Sequence, residues 1–472
     1  MNNDFLLLMP MLLVGIGGIG LMIASTYESI THERMAISGM GLFGVAFLFQ
    51  LGNTVAHPTI PYEQVFNGML VVSDFTRASG MIILGCGLAT CMSAYTYFKQ
   101  NPFCTSEFYS LIAFSACGML LLTMAQELIS VFIALEIMSL AIYILVGYNR
   151  QSQTATEAVL KYLMLGAFAG AFFTMGAALI YGGAGSTKFT EISASISANG
   201  YAGNAALIGG SFLVIVAFLF KVAAFPFHAW VTDVYEGAST PITGFMATAL
   251  KTAVFAVFAN FLVLNNGLHE GWINGLFYIS ILTMFVGNLV AIGQESLKRM
   301  LAASGIVHSG YLLIALVAIN TEQFTGGVIA YYLAAYSVGT LGIFAALSYL
   351  GGEDEKRMNF ADFKGLAKVR PYSAAAITIF LLSMAGIPPT AGFMGKFYII
   401  TSAISAGQIA LAVFGIISSI LSMWYYLRLI VNMYFHDAVD TFETDTCHKM
   451  APVCTMVLAL CVFAIGLYPI II

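Results

Sequence analysis

The chain has 472 residues, 60% hydrophobic and 9% charged, with a mean hydropathy of +0.89. A soluble domain carries roughly 25% charged residues, so this composition excludes one large soluble core and indicates a polytopic, all-α integral membrane protein. A net charge of −5 without any long basic run excludes a nucleic-acid surface, and no polar stretch is long enough for a nucleotide-binding fold.

Apolar runs of about 20 residues, bounded by polar or Pro/Gly punctuation, predict about fourteen transmembrane helices. In chain order they cover 5–25, 36–53, 74–98, 107–125, 127–148, 157–182, 204–226, 240–266, 272–294, 298–320, 325–350, 372–402, 409–436 and 450–471. The first segment follows Met1-Asn2-Asn3-Asp4, which lacks a basic n-region and a small-residue cleavage site, so it reads as a retained helix. With the N-terminus outside, the inner loops hold Arg34, Lys99, Arg150, Lys161, Lys298, Arg299, Lys356, Arg357, Lys364, Lys368, Arg370 and Lys449. The outer side holds only Arg77 and Lys188. The positive-inside rule therefore predicts both termini on the periplasmic side.

Two predicted helices carry breaks. The seventh contains Lys221-Val-Ala-Ala-Phe-Pro226-Phe-His228, and the twelfth contains Ala385-Gly386-Ile-Pro388-Pro389-Thr-Ala-Gly392. Proline removes a backbone donor and clashes with the preceding turn, which membrane helices tolerate beside protein or a wet cavity. Phe218 to Pro226 aligns with Phe380 to Pro388 at an offset of 162 residues, five helices further on. An odd-numbered repeat is inverted in the membrane, and paired broken helices mark transport pathways. The expected organisation is thus a three-helix segment (1–105), a first five-helix repeat (106–268), a second inverted repeat (269–438) and a last helix (439–472).

Once the loops are counted, four cations remain inside predicted helices: Lys221, Lys251, Lys396 and Arg428. Glu136 is the acidic residue expected deep in a helix. Each such charge costs roughly 2.5–3.5 kcal/mol on insertion scales, about 10 kcal/mol for Glu136 with three lysines. Burial disfavours an ammonium, so a buried lysine exchanges its proton near neutrality, whereas arginine does not. An acidic residue followed by a row of lysines is therefore suited to passing protons. The bland alternative is a buried Glu–Lys pair that only fixes helix packing. His228, just past the first break, and His308, in the tenth segment, are candidate relays. Arg428 reads as a snorkelling anchor, and Asp233 and Glu236 are expected at the inner surface.

Other patterns carry no site. Gly15-Ile-Gly17-Gly18-Ile-Gly20 matches a dinucleotide fingerprint without the strand or βαβ unit it requires, and small residues there suit helix packing. Gly182-Gly183-Ala184-Gly185 lacks the lysine of a phosphate loop. The seven cysteines form no C-x-x-C, and Cys447-His448 is an isolated pair, so no metal or iron–sulfur cofactor is expected.

LEIMSLAIYILVGY around Glu136, TEAVLKYLMLGAF (156–168), FKVAAFPFHAWVTDVYEGASTPITGF (220–245), LKRMLAASGIVHSGY (297–311) and AGIPPTAGFMGKF (385–397) resemble the antiporter-like membrane subunits of respiratory complex I. The resemblance is closest to the bacterial N type: Lys396 stands where the M type is expected to carry glutamate, and the lateral helix of the L type is lacking. It implies a proton-translocating membrane-arm subunit of NADH:quinone oxidoreductase in the bacterial inner membrane. It further implies that Glu136 and Lys221 interact, that Lys251 is the central lysine and Lys396 the terminal one, and that His228 and His308 lie on the polar axis between them. Flavin, iron–sulfur clusters and quinone belong to partner subunits, and the partners are other antiporter-like and small membrane subunits. Competing expectations are a subunit of a multisubunit cation/proton antiporter or membrane-bound hydrogenase, and a purely structural membrane-arm subunit. A solute permease would need polar groups at the breaks, which hold mainly Pro, Gly, Ala and Phe.

Overall fold

Local chemistry sets where helices start and stop. Ser73 closes a capping box on α3 (Asp74–Gln100), and Ser152 accepts from the Ala155 amide at the start of α6 (Gln153–Ala184). Asn204 accepts from the Ala206 and Leu207 amides at the start of α8 (Ala205–Lys221). Each cap satisfies amides that have no partner inside the helix. At the other end of α6, Gly185 takes φ +78°, a left-handed stop that glycine adopts without strain.

The computed structural model describes residues 7–27, 30–56, 63–101, 103, 106–201, 203–319, 326–438 and 449–469, with backbone only over 266–270. Besides α3, α6 and α8, the chain forms α1 (Met9–Ser25), α2 (His32–Ala56), α4 (Phe108–Met124), α5 (Leu128–Val146), α7 (Phe189–Asn199) and α9 (Val231–Gly237). These are followed by α10 (Thr240–Leu264), α11 (Asn266–Ile292), α12 (Leu297–Val317) and α13 (Gly327–Leu350). The last four are α14 (Pro371–Ala385), α15 (Ala391–Ser405), α16 (Ile409–Phe435) and α17 (Met450–Leu467). Among the described residues ten helices are long and apolar enough to cross a membrane, and α1, α4, α8 and α14 are shorter apolar helices. The protein is thus an all-helical, multi-pass membrane protein.

α12 is buried at every residue except Arg299 and packs against α9, α10, α11, α13, α15 and α16. The outer helices invert the pattern of a soluble protein: α1, α2, α5, α6 and α16 expose Ile16, Leu48, Ile129, Phe168 and Trp424. Such broad apolar surface is stable against lipid rather than water.

Several features differ from the sequence expectations. The seventh segment stops being helical at Lys221, five residues before Pro226. α7 and a short hairpin (Glu63–Val65 with Leu70–Val72) form where loops were expected. α10 contains a π-helical turn, Met246–Leu250, directly before Lys251. The Cys447-His448 pair lies outside the described residues.

The bundle has two chemically distinct ends. At one, Lys99 pairs with Glu33, Lys161 and Arg299 with Asp233 (2.5 and 3.2 Å), Lys298 with Glu355 (2.7 Å) and Lys368 with Asp437 (2.6 Å). The opposite end holds the hairpin, Arg77 in the first turn of α3, and Lys188, whose backbone bridges Glu127. α1 begins at that opposite end, against Val72 and Thr76. α17 starts beside Thr96, which accepts from the Ala451 amide (3.1 Å), and finishes beside Tyr331, which donates to Ile465 O (2.9 Å).

Candidate functional site

Two buried lysines sit at the broken helices: Lys221 ends α8, and Lys396 lies on α15 just past the break that follows α14. Lys221 is the last residue of α8, where the helix dipole favours a cation. Beyond it Ala223 takes φ +57°, a sparsely populated region for a residue with a Cβ. Neighbouring side chains take up the backbone groups freed by the break: Ser309 donates to Val222 O (2.7 Å), Trp230 to Phe220 O (3.3 Å), and Thr283 accepts from the Phe225 amide (3.0 Å). Protein thus replaces the lost helical bonds.

Lys221 is 6% exposed and donates to Ser139 Oγ (2.8 Å). Its Nζ also lies 5.7 Å from the centre of the Tyr143 ring. Glu136, Ser139 and Tyr143 are spaced i, i+3, i+7 on α5 and share one face. Glu136 falls in the middle of α5 and is half-buried. It lies within electrostatic reach of Lys221 but does not form an ion pair with it, because Ser139, one turn along, accepts from the lysine. The Glu136 carboxylate lies against Gly170 of α6, where a Cβ would come within 3.3 Å of Oε1.

Lys251, 2% exposed, follows the π turn and donates to the Gly305 carbonyl of α12. π turns widen a helix and recur at functional sites. Ser309 Oγ lies 3.1 Å from the same carbonyl and 2.7 Å from Val222 O, so one hydroxyl connects the α8 break to the partner of Lys251. Gly305 is required by close approach: a Cβ would sit 3.1 Å from Lys251 Nζ and 3.2 Å from Tyr336 Oη. The Tyr336 ring centre is 5.4 Å from that Nζ and 4.7 Å from the His308 ring.

His308 stands within electrostatic reach of both Lys251 and Lys396. Its Nδ1 is 2.7 Å from Tyr332 Oη and its Nε2 3.3 Å from Tyr426 Oη. Lys396, 5% exposed on α15, donates to Ala385 O (3.0 Å), at the C-terminus of α14, and to Ser419 Oγ (2.9 Å). Its Nζ lies 5.1 Å from the Tyr311 ring centre. A cavity of ≈ 10 Å³ between His308, Tyr332, Tyr336, Ser383 and Lys396 has room for about one water. Among the described residues no carboxylate forms an ion pair with Lys221, Lys251 or Lys396.

His228 does not join this line. Its ring stacks on Phe225 (5.7 Å), and among the described residues no hydrogen bond places it on a lysine. Arg428 lies at the cation-rich end, over the Phe360 ring (4.5 Å) and donating to Gln294 O (3.2 Å). That end also holds a polar cavity of ≈ 590 Å³, lined by Asn101, Gln151, Glu236, Ser239 and Glu355 among others. Glu355 closes it, accepting from Lys298 (2.7 Å) and from the Thr240 amide and hydroxyl (2.8 and 2.6 Å). Burial pushes the Glu355 carboxyl up, but the Lys298 charge and these hydrogen bonds outweigh it and hold the carboxyl below its ordinary range. No group of metal-ligating side chains occurs among the described residues.

Sequence reasoning missed Ser139, Tyr143, Tyr311, Tyr332, Tyr336, Ser419 and Tyr426. Helical spacing from residues it did select marks two of them on α5, Ser139 and Tyr143, and also Tyr311, three residues after His308. The others come from α13 and α16, and only folding brings them close.

A membrane bundle with broken helices and a central row of lysines defines an antiporter-type membrane subunit. Residues 125–422 match the family described as NADH:quinone oxidoreductase/Mrp antiporter, TM, and the chain belongs to that family. It is 38% identical over 465 residues to NADH-quinone oxidoreductase subunit N of Trichlorobacter lovleyi, covering 97% of this chain and 92% of that one. A chain of respiratory complex I from Thermus thermophilus superposes with a TM-score of 0.81 at 28% identity, covering 98% and 97% of the two chains. A chain of the Mrp complex from Dietzia sp. shares the fold, with a TM-score of 0.85 at 19% identity over 99% and 95%.

Proposed function

We propose that this chain is the N-type, proton-translocating membrane-arm subunit of an NADH:quinone oxidoreductase. The observation that carries the reading is the row of polar groups running from Glu136 past Ser139, Lys221, Ser309, Lys251, Tyr336 and His308 to Lys396, buried from Ser139 onward and linked in part through the Val222 and Gly305 carbonyls. Three buried lysines without carboxylate partners cost more than packing alone recovers. As proton carriers they are the working parts. Glu136 acts on Lys221 through Ser139 and through space, Lys251 is the central station, and Lys396 the terminal one. His308 bridges the last two, while His228 lines the break.

The ten long and four shorter apolar helices are taken as fourteen crossings, with α14 and α15 forming one broken crossing. Residues 106–268 and 269–438 are the two inverted repeats, flanked by 1–105 and 439–472. The cation-rich end faces the cytoplasm of a bacterial inner membrane, which leaves both termini periplasmic. Its ≈ 590 Å³ cavity gives water access toward Glu355. Redox chemistry resides in partners that hold flavin, iron–sulfur clusters and quinone, and this chain is one subunit of that enzyme. The main alternative is the same fold in a cation/proton antiporter or a membrane-bound hydrogenase. Mass spectrometry of the detergent-solubilised complex separates them. Co-purifying flavin and iron–sulfur subunits with NADH-dependent quinone reduction are expected, and a complex of antiporter subunits alone would contradict the assignment.

A further inference from the structure

A cation buried in a bilayer needs something negative beside it. Lys298, 1% exposed, obtains it from Glu355. Among the described residues Lys251 and Lys396 have no carboxylate in contact, and Lys221 has Glu136 only at a distance; each instead lies over the face of a tyrosine: Lys221 over Tyr143 (5.7 Å), Lys251 over Tyr336 (5.4 Å) and Lys396 over Tyr311 (5.1 Å). The three tyrosines come from α5, α13 and α12, so the recurrence does not follow from one local motif. All three distances fall within the roughly 6 Å over which an aromatic face attracts a cation, an attraction that strengthens where water is excluded. The remaining partners are neutral acceptors: Ser139 Oγ, Gly305 O, and Ala385 O with Ser419 Oγ.

We propose that Tyr143, Tyr336 and Tyr311 are positioning residues whose ring faces serve as the counter-charge of Lys221, Lys251 and Lys396. A carboxylate in contact would hold the proton on the lysine, and proton loss would then strand an anion in the bilayer. A ring face attracts the ammonium yet stays neutral when the proton leaves, so the lysine is charged and discharged without a bare partner. The hydroxyl is secondary in this role. Tyr311 already commits its own to Gly415 O (2.7 Å).

Other titratable groups around these lysines are few. Lys221 meets Glu136 and Tyr143 from α5, with Tyr162 of α6 stacked edge-on to Tyr143 at 4.9 Å. Around Lys251 stand Tyr336 from α13 and His308 from α12, with Cys86 of α3 beside Thr248 and Ser337. Lys396 faces Tyr311 and His308 from α12 and Tyr332 from α13, with Tyr425 and Tyr426 on α16.

The inference rests on the proton-carrying reading, and its test separates the two. Coupled NADH oxidation and proton uptake are measured in vesicles from pH 6 to 9, normalised to assembled complex, for Tyr336→Phe, Tyr336→Leu and Lys251→Met. Tyr336→Phe keeps the ring face and with it the position of the wild-type alkaline limb, whatever loss of the hydroxyl does to the rate. Tyr336→Leu moves the alkaline limb to lower pH by about one unit, the size expected for losing a desolvated cation–ring contact. A wild-type limb position for Tyr336→Leu, or an equal shift of the limb by Phe and Leu, overturns the inference while leaving the lysine reading intact. Normal turnover of Lys251→Met removes that reading itself. Should Tyr336→Leu not assemble, phenylalanines of increasing fluorination placed at 336 keep the shape and weaken the face stepwise. A limb that moves stepwise with fluorine number supports the inference, and a fixed limb overturns it.

Discussion

Replacing Glu355 should loosen the cation-rich end by an amount the structure allows to be worked out. Its carboxylate takes three hydrogen bonds, from Lys298 Nζ (2.7 Å), the Thr240 amide (2.8 Å) and the Thr240 hydroxyl (2.6 Å). It thereby ties the turn after α13 to the starts of α10 and α12. Lys298 is 1% exposed and Glu355 17%, so solvent screens the pair little. Breaking a buried pair by removing one partner costs about 3–5 kcal/mol. Glu355→Ala leaves Lys298 with the carbonyls of Glu236 (3.0 Å) and Ala238 (2.6 Å), which places the loss near the lower figure, about 3 kcal/mol. Glu355→Gln keeps the shape and costs about half of that. Because the folded carboxyl is held below its ordinary range, its contribution is fully present above about pH 4.3, the unfolded value. It is lost as pH falls further, through the lower folded value. The thermal midpoint of the solubilised complex should therefore drop by several degrees in Glu355→Ala, equally from pH 8 to 5, with the gap closing at more acid pH. An unchanged midpoint at pH 7, or a gap that grows on acidification, would refute the reasoning.

Two further substitutions probe the broken helix and the first lysine. At Gly392 a Cβ would lie 1.8 Å from the Ser383 carbonyl oxygen, a backbone atom with nowhere to move, so Gly392→Ala should abolish assembly on native gels. Gly41→Ala, with nothing within 4 Å of the new atom, should assemble normally. Ser139→Ala removes the hydroxyl that Lys221 donates to, a bond to a charged group worth about 1.5–3 kcal/mol. It should lower proton uptake about tenfold, at least as much as Glu136→Gln, and wild-type uptake would show that the contact is only structural.

The lysines were legible in one dimension because an ammonium in an apolar run is costly wherever the run folds. Pro226 and Pro388 announced the breaks for a similar reason, since a missing amide is a property of the residue itself. What stayed hidden depends on which way a helix turns. Glu136 falls mid-helix as its apolar neighbours imply, but nothing in the sequence shows that Ile129, Ile133, Ile137 and Ile144 form an exposed stripe on the same helix and leave its carboxylate half-buried. The π turn at Met246–Leu250 has no breaker to signal it. α7, with the sequence FTEISASISAN, is too short and too polar for a membrane-helix scan. Ser139 lies 82 residues from Lys221, and Tyr336 comes from a helix far along the chain from Lys251, so only packing reveals the pairings.

The central claim, that the buried lysines carry protons, is tested most directly by coupled activity in Lys251→Met and Lys396→Met, with the Arg variants beside them. Met keeps a long apolar stem without the titrating group, and Arg keeps a charge that does not leave at physiological pH. Quinone-dependent NADH oxidation and proton uptake in vesicles, normalised to complex on a native gel, should fall in all four variants while the amount of assembled complex is unchanged. Full coupled activity for Lys251→Met and Lys396→Met at wild-type assembly would contradict the account.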